Sequence, residues 1–499
     1  MAKDLIRIFL TTLSLIVLAG TGVTAQLIPI RTIPVASGDQ FLTVPSQTLG
    51  MGGVTIAVDD SLADGWVNPA KGIFIRETSF LIAPTFYGIS DHGGGGKTFP
   101  IVGLFQGDAW FGGAALVVQQ IVNPDERWEI FVDPIFFRDA QPQRLSNVSS
   151  RNLYARGFIG RRVDSGPWSV GLGFSTSQLN AVDGVDLLYA GADRIDQSGS
   201  ASDLRLGLYR TGERDRISLV GVYNSISMTH DVTWTDFIWG EESCSDPPGC
   251  PPVVSRRIEI NEDKTRTIGG HVNWDRDLDA PGWRIGATAT LNQKSHPKIP
   301  NYQIQNIPRD PGTTWAYEAG FGISRTRGET TFGIDVVLQP IWSETWQEAD
   351  ERITTGTGTV IQPGGRTIEN DFFFTNIIFR TGLSHQLGDS ELQAGLELRS
   401  YDYQLDQVNH IESSFRDLNE SWMEWSPTIG AVLHLSDIDL RYMGRLTTGT
   451  GQPGIAWEWE EGAGPMARAN DFIIAPSGPL TLQDALVHTH QLSVRIPIH

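Results

Sequence analysis

The chain has 499 residues, with 58 acidic and 38 basic side chains, and therefore a formal net charge of −20. Because a nucleic-acid-binding surface needs an excess of Lys and Arg, this balance excludes nucleic acid as a partner. Two cysteines are too few for a disulfide-rich scaffold, and 40% hydrophobic residues are too many for a disordered chain. The 54 glycines and 15 tryptophans, with only 19% charged residues, favour a large β-protein that is either soluble or faces lipid on one side.

The first 25 residues are predicted to be a signal peptide. Lys3 and Arg7 give it a basic start, and the apolar stretch 8–19 follows. Residues 23–25 (Val-Thr-Ala) then form a cleavage site before Gln26. The apolar stretch is too short to span a bilayer as a helix, which takes about 20 residues. The mature chain is therefore expected to be exported, either as a soluble protein or as a membrane β-barrel.

Residues 26–78 precede the first clear strand and carry two motifs. The run Gly50-Met51-Gly52-Gly53 permits close approach of the backbone to a neighbour. Asn68-Pro69-Ala70 predicts a turn. No Gly-Lys-Ser/Thr follows the glycines, so this segment is not a phosphate-binding loop.

From Ser79 onward, apolar and polar residues alternate with a period of two along most of the chain. In the stretch 283–292, Trp, Ile, Ala, Ala and Leu alternate with Arg, Gly, Thr, Thr and Asn, and the stretches 168–174, 314–324 and 391–399 behave alike. Each pattern predicts a strand with one apolar and one polar face. A hydrated barrel lumen accepts charges on that polar face, whereas a soluble core does not. The charged residues on the polar faces are Arg205, Arg284, Glu318, Asp335, Glu397, Arg399 and Arg441.

The connections between these strands alternate in length. Short links occur at 106–108, 164–167, 211–214, 277–282, 326–328, 387–389 and 436–437. Long polar segments lie between them, at 121–150, 179–200, 226–263, 293–313, 343–370, 404–424 and 448–486. This rhythm is typical of an outer-membrane barrel with short periplasmic turns and longer extracellular loops.

The tryptophans follow the same rhythm. Trp110, Trp168 and Trp283 each open a strand after a short turn, where a periplasmic aromatic girdle is expected. The tryptophans expected in the outer girdle are Trp234, Trp315, Trp342 and Trp425. We therefore predict an all-β fold: a transmembrane antiparallel barrel of about 14 strands (range 14–16) over residues 79–499, a signal peptide at 1–25 and an N-terminal plug at 26–78. Such a barrel would lie in the outer membrane of a Gram-negative-type bacterium, with outer-membrane lipid and the barrel-assembly machinery as partners.

In order and spacing, the residues from Gly50 to Gly72 resemble the N-terminal signature of the FadL-like outer-membrane transporters of long-chain fatty acids and aromatic hydrocarbons. Those proteins begin with a Gly-Met-Gly-Gly-Ala stretch, an acidic pair and an Asn-Pro-Ala-Gly turn. Here Asp59-Asp60 supplies the acidic pair, and Lys71 is inserted before Gly72. The rest of the chain matches in architecture alone. The resemblance implies a 14-strand barrel with the N-terminal segment as a hatch, whose motif residues here are Gly50, Met51, Gly52, Gly53, Asn68, Pro69 and Ala70.

The resemblance also implies passive uptake of a hydrophobic small molecule, a fatty acid or an aromatic hydrocarbon. In that family the ligand leaves through a lateral opening near a kinked third strand. Counted from Ser79, the third strand is 109–120, and it contains Gly112 and Gly113, which suit a bulge or kink. Barrel curvature alone also accounts for this pair. PorV-like relatives share the signature and serve protein secretion and surface attachment, so exported proteins are the alternative partners.

Two further pairs of residues invite a chemical interpretation. Cys244 and Cys250 flank a Pro-Pro-Gly bend in a predicted extracellular loop, and we expect them to form a disulfide. His488 and His490 share one face of the last strand. Because no third ligand is in view, we interpret them as lumen-facing polar residues rather than as a metal site.

An outer-membrane hydrolase is the enzymatic alternative, since such sites need acidic, histidine or serine side chains that converge at a barrel rim. No local spacing marks such a site, and we interpret the candidates as solvated loop residues. We therefore expect no catalytic residue, no cofactor and no metal. The candidates are Asp350, Glu351, His410 and Glu412.

Overall fold

The structure is a computed structural model. It describes residues 36, 38, 40–90, 93–122, 149–163, 166–182, 192–238, 253–296, 312–349, 351–436, 438–453, 456–460, 464–468 and 482–498. The predicted signal peptide, Cys244 and Cys250 lie outside these residues. Within these residues, no helix is long and apolar enough to cross a membrane.

Three short helices precede the strands: a 3-10 helix at Leu49–Met51, an α-helix at Asp64–Val67 and a 3-10 helix at Pro69–Phe74. The strands of the described residues are β1 (Ser79–Ile82), β2 (Thr85–Ile89), β3 (Gly95–Gln106), β4 (Trp110–Val122), β5 (Ser149–Arg162), β6 (Trp168–Leu179), β7 (Arg194–Thr211), β8 (Asp215–Ile238), β9 (Val253–Asp277), β10 (Trp283–His296), β11 (Gly312–Arg327), β12 (Thr330–Glu348), β13 (Ile353–Thr354), β14 (Val360–Ile361), β15 (Arg366–Leu387), β16 (Ser390–Asn409), β17 (Ser414–His434), β18 (Asp439–Pro453), β19 (Ala456–Glu460), β20 (Gly464–Arg468) and β21 (Leu482–Pro497).

Seventeen of these strands form one closed antiparallel sheet, while β13–β14 and β19–β20 form separate two-stranded pairs. Strands β1 and β2 lie end to end, because each pairs with both β3 and β21. Ala83 and Pro84 separate them, and Pro84 lacks the N–H that a continuous ladder would need. The seventeen strands therefore occupy sixteen positions in the barrel wall.

The predicted all-β barrel is confirmed, but its strand count differs from the 14 that the resemblance implied. One reason is the first hairpin, in which β2 ends at Ile89 and β3 begins at Gly95. The last strand, β21, adds the other position. The segment 404–424, predicted as a long loop, leaves the count unchanged, because it extends β16 and β17 and turns only at 410–413. An even count is retained, as an up-and-down barrel requires.

The alternation places apolar side chains on the outside of the wall and polar ones on the inside. Leu291 of β10 is 43% exposed, whereas its neighbours Thr290 and Asn292 are buried. Across β11 and β12, Phe321 is 52% exposed while Asp335 is fully buried. This arrangement is the reverse of a soluble protein and is typical of a barrel that faces lipid.

Two rows of outward-facing tryptophans mark the ends of this apolar band. At the short-turn end, each ring lies against the guanidinium of its cross-strand partner: Arg161 over Trp110 (5.4 Å), Arg210 over Trp168 (5.9 Å) and Arg325 over Trp283 (5.0 Å). At the other end, Trp315 pairs in register with Gln293, ten residues after Trp283. With about 3.3 Å per residue and a tilt of about 40°, the two rows lie roughly 25 Å apart along the barrel axis.

One predicted girdle residue is wrong. Trp234 faces inward and packs against the buried cluster of Ala192, Ile195 and Val232. The other predicted outer tryptophans, Trp315, Trp342 and Trp425, are 38–47% exposed on the outer face. Trp234 lies farther along β8, where the wall continues beyond the outer row of tryptophans.

Candidate functional site

Residues 40–78, called the N-terminal segment below, contact the inward face of the wall near the short-turn end of the strands. The 3-10 helix Pro69–Phe74 packs on β4–β7, and the 3-10 helix Leu49–Met51 packs on β15–β18. Contacts on β10–β12 lie between these two anchors. The segment thus engages strands around much of the barrel.

The Gly50-Met51-Gly52-Gly53 motif is a point of close backbone approach. Its backbone at Met51 and Gly52 lies against Gly382 of β15 and Gly395 of β16, where a Cβ atom on either wall residue would collide with it. Gly52 has a φ of 71°, in the left-handed region that favours glycine. Its N–H donates to Thr428 Oγ1 (2.9 Å), and that hydroxyl donates to the Gly50 carbonyl (3.0 Å).

Asn68 fixes the second motif to the opposite side of the wall. It is only 1% exposed, and its Nδ2 donates to Ser218 Oγ (2.7 Å) and to the carbonyls of Leu208 and Leu219 (both 3.3 Å). Its Oδ1 accepts the N–H of Ala70 (3.0 Å) and so caps the 3-10 helix that follows. One amide side chain therefore connects the turn to two strands.

Two carboxylates hold the stretch between the motifs. Asp335 of β12 accepts the N–H groups of Thr55 (2.7 Å) and Ile56 (3.2 Å). In the other direction, Asp59 of the segment pairs with Arg284 of β10 (2.6 Å). Burial would raise the pKa of Asp59, but Arg284 and the other cations nearby hold it below its usual 3.8.

The inserted Lys71 has a partner inside the segment. Its Nζ lies 2.7 Å from Asp64 Oδ2, and both side chains are 13% exposed. Burial raises the pKa of Asp64 to about 6; Lys71 opposes this shift, while Asp60 and Asp59 add to it. Burial acts against the ammonium of Lys71, but the carboxylates of Asp64 and Asp59 raise its pKa, so it stays charged.

The long-loop end of the lumen carries an inward-facing aromatic patch, formed by Phe372, Phe374, Tyr403 and Trp422. Ring centroids are 5.7 Å apart for Phe372 and Phe374, 5.3 Å for Phe374 and Tyr403, and 6.4 Å for Tyr403 and Trp422. Phe374 lies eight residues before Gly382 in β15, so the patch lies beyond the N-terminal segment toward the long loops. Aliphatic residues extend it: Ala316, Ile341, Leu405 and Leu418.

A second buried apolar cluster lies on β4–β8. Going around the wall in one direction, strands β9 and β10 separate this cluster from the aromatic patch; in the other direction, β18, β21 and β1–β3 separate them. The two apolar regions therefore face each other across the lumen. Its one polar tip, Tyr154 Oη, donates to Gln119 Oε1 (2.7 Å). The outer half of the lumen is therefore apolar on two sides. The members of this cluster are Val117, Tyr154, Leu179, Ala201 and Met228.

Gly112 and Gly113 lie in β4, the third strand position. The ladders of β4 with β3 and β5 run through both glycines without a register shift, so there is no β-bulge at this point. A Cβ atom on Gly113 would lie 2.7 Å from a ring carbon of Phe158 and 3.1 Å from Trp66. The glycines therefore make room for ring packing, and a lateral opening here stays a prediction.

The expected placement of the C-terminal histidines is wrong. His488 and His490 are exposed on the outer face of β21, in the same phase as Leu486 and Leu492. His490 Nδ1 lies 2.9 Å from Tyr442 Oη. The sequence shows only that the two imidazoles share a face; which face they share depends on the phase of the strand.

The enzymatic candidates do not converge among the described residues. His410 lies in the exposed turn between β16 and β17, and its Nε2 lies 2.9 Å from Glu369 Oε1. Glu412 is exposed in the same turn, Glu351 is exposed after β12, and Asp350 lies outside the described residues.

Sequence reasoning missed the aromatic patch, because a barrel lumen was expected to be polar. The run Phe372-Phe373-Phe374 was a usable signal. Three consecutive aromatic residues in a strand place rings on both faces, so at least one ring had to face the lumen.

No protein-family model matches the chain, and no curated protein matches it. Among solved structures, the chain is similar to a FadL homologue of Pseudomonas aeruginosa, with 11% identity, coverage of 92% of this chain and 99% of that one, and a TM-score of 0.41. It is also similar to the ferric-catecholate import receptor Fiu of E. coli K12, with 8% identity, coverage of 84% and 82%, and a TM-score of 0.37. For CdiB of Acinetobacter baumannii, the identity is 9%, the coverage 84% and 60%, and the TM-score 0.36. Likeness of this degree assigns no function.

Proposed function

We propose that the protein is an outer-membrane channel of a Gram-negative-type bacterium for the passive uptake of hydrophobic small molecules. The observation that carries the proposal is the aromatic patch, which faces the lumen beyond the N-terminal segment. An aqueous porin has a polar lumen, whereas sites for apolar ligands are lined by aromatic and aliphatic side chains. Fatty acids or aromatic hydrocarbons are the ligand class that such a lining fits.

The membrane placement is supported by the outer face. Its exposed side chains are apolar between two rows of tryptophans that lie roughly 25 Å apart, which is the height of the apolar band in outer-membrane barrels. The arginines stacked on Trp110, Trp168 and Trp283 are positioned to reach headgroups at one interface.

In this proposal the N-terminal segment is the hatch. The ligand enters from the long-loop side and is retained by the aromatic patch, since burial of apolar surface contributes about 25 cal/mol per Å². The segment obstructs the short-turn side, where Asn68, Asp335 and Thr428 hold it to the wall. Passage then requires a shift of the segment, which needs no energy source beyond the ligand gradient.

A secretion or surface-attachment partner, as in PorV-like barrels, is the second candidate. Strands β8 and β9, with 24 and 25 residues, are longer than a tilted strand needs to cross a membrane, which is about 9–11 residues. The projecting hairpin offers edges and faces to an exported protein. This surface does not require an apolar lumen.

The test is uptake of a pyrene-labelled long-chain fatty acid into liposomes that contain the purified barrel. Asn68→Ala removes the cap and the wall contacts of the turn, which typically costs about 1 kcal/mol or more, and we expect uptake to change at least threefold while the barrel stays folded. Phe99→Ala, which truncates an outward ring that is 47% exposed, is the matched control. Equal uptake by the wild type, Asn68→Ala and protein-free liposomes would overturn the proposal.

A further inference from the structure

The outer face of the wall carries a groove of about 810 Å³ that crosses β7–β12. It runs between two neighbouring rows of outward side chains. The residues of the first row are register partners on neighbouring strands: Leu206, Gly221, Gly270, Leu291 and Tyr317. The second row, one step closer to the short turns, includes the small residues Ala289 and Ala319.

The width of this groove limits what can occupy it. Neighbouring rows on one face of a sheet are two residues apart, which is about 7 Å. An α-helix with side chains has a diameter of about 10–12 Å and does not fit between them, whereas a single polymethylene chain does. The groove is deepest where Gly221 and Gly270 present no side chain: a Cβ atom on Gly221 meets nothing within 4 Å, and one on Gly270 only the Val220 carbonyl at 3.8 Å.

The groove slopes toward the outer row of tryptophans. Its first row begins at Leu206, five residues from the short-turn end of β7, and reaches Tyr317, ten residues from that end of β11. There Tyr317 contacts Trp342 edge to face (5.4 Å) and stacks on Trp315 (6.4 Å). Aromatic girdles lie at the headgroup level, so the headgroup of a lipid whose acyl chain lies in the groove would be on the long-loop side of the groove.

An arginine lies on the same face, on the long-loop side of the groove, with the outward Ile268 between it and Gly270. Arg266 of β9 is exposed, two outward positions beyond Gly270, and pairs in register with Ser225 and Ser295. Its side chain makes no hydrogen bond or ion pair with any residue that the structure describes. A guanidinium between two hydroxyl side chains complements a phosphate group, which accepts charge-assisted hydrogen bonds from such donors.

We propose that this face binds one phosphate-bearing lipid of the outer leaflet, with its phosphate at Arg266 and one acyl chain in the groove over Gly221 and Gly270. The site lies outside the lumen, so it rests on the membrane placement of the barrel and not on the uptake of ligands. Its occupant stays bound while the surrounding lipids exchange.

The test is native mass spectrometry of the delipidated protein in detergent, titrated with dioleoylphosphatidylglycerol and, separately, with dioleoylglycerol, which lacks the phosphate. We expect one phospholipid per barrel, and at least tenfold weaker binding after Arg266→Gln. Gly270→Leu and Gly221→Leu fill the groove and should weaken the binding of both lipids. Either position accepts a side chain without collision, so if one variant fails to fold, the other still tests the groove.

The matched controls are Gly103→Leu, at an outward glycine with nothing within 4 Å of its Cβ position, and Arg327→Gln, at the exposed arginine that ends β11. Both should bind the phospholipid as the wild type does. Equal binding of the phospholipid by Arg266→Gln, Gly270→Leu and the wild type would overturn the proposal. A dimer that forms without bound lipid and is lost in Gly270→Leu would overturn it in favour of a second copy of the chain.

Discussion

Single residues determine where the N-terminal segment lies, and each of them acts together with a partner residue on the barrel wall. The backbone at Pro69 is accommodated by Gly171 of β6, where a Cβ atom would lie 2.6 Å from the N atom of Ala70. The motif glycines were visible in the sequence because they form a run. The wall glycines, such as Gly171 and Gly395, were read only as members of a polar strand face, since their role depends on contacts far away in the chain.

Asp64 makes the docking of the N-terminal segment sensitive to pH. Burial and the nearby acids raise its pKa from 3.8 to about 6, so the docked segment binds a proton more tightly than a released one. Its contribution to docking is therefore full below the ordinary value and is lost as the pH rises through about 6. The opposite effect of Asp59, whose pKa is lowered, is confined to pH values below 3.8. Docking should therefore weaken as the pH rises from about 3.8 to about 6, and change little above that.

The measurement is ion leak through single barrels in planar bilayers, which should rise over that pH interval. The double variant Asp64→Asn/Lys71→Gln removes the acid without leaving its buried lysine partner unpaired, and its leak should be flat over the same interval. A leak in the wild type that falls with rising pH, or that changes equally in the double variant, would contradict this assignment.

Within a single strand, the face that carries the apolar residues can change, although side chains keep alternating between the inside and the outside of the wall. In β16, Leu392 points outward and is 52% exposed, whereas farther along Tyr401 and Tyr403 point inward and Gln404 is exposed. The change follows Leu398, whose register partner is the girdle residue Trp425. A wall that leaves the membrane needs a polar outside, and its apolar residues then face the lumen.

This change explains which elements could be predicted. Strands such as β10 and β11 keep one phase over most of their length, so their faces could be read from the sequence. The extension of β8 over 226–234 and the segment 404–424 place most of their apolar residues inward, and a search for outward apolar residues interprets them as polar loops. Trp422 of the aromatic patch lies in the segment 404–424 and Tyr403 directly precedes it, which is one reason why the patch escaped prediction.

The change of phase predicts different accessibilities for two positions of β16. Gln404→Cys should react with a membrane-impermeant maleimide on intact cells, because its side chain lies in water outside the membrane. Leu392→Cys should stay unlabelled, although its side chain is equally outward, because lipid covers it. Both changes are made in a background with serine at 244 and 250. Labelling of Leu392→Cys but not of Gln404→Cys would contradict the proposed orientation, in which the long loops lie outside the cell.

At the scale of the whole molecule, the barrel combines a sixteen-position wall, a docked N-terminal segment and an apolar outer lumen. Closure could be predicted from the alternation of turns and loops, because each short turn joins two wall strands. The order of the layers inside the lumen could not, since it depends on the contacts of Asn68 and Asp335 across long sequence distances. The net charge of −20 predicted neither the closure of the barrel nor the order of the layers inside it.

The proposed uptake requires that the outer lumen hold a hydrophobic small molecule. The most direct measurement is small-molecule and protein mass spectrometry of the native barrel after gentle solubilisation. We expect a stoichiometric apolar compound that is lost in the folded double variant Phe374→Ala/Tyr403→Ala and retained in the outward control Phe99→Ala. A stoichiometric exported protein, with no small molecule that depends on Phe374 and Tyr403, would contradict the channel and favour the secretion partner.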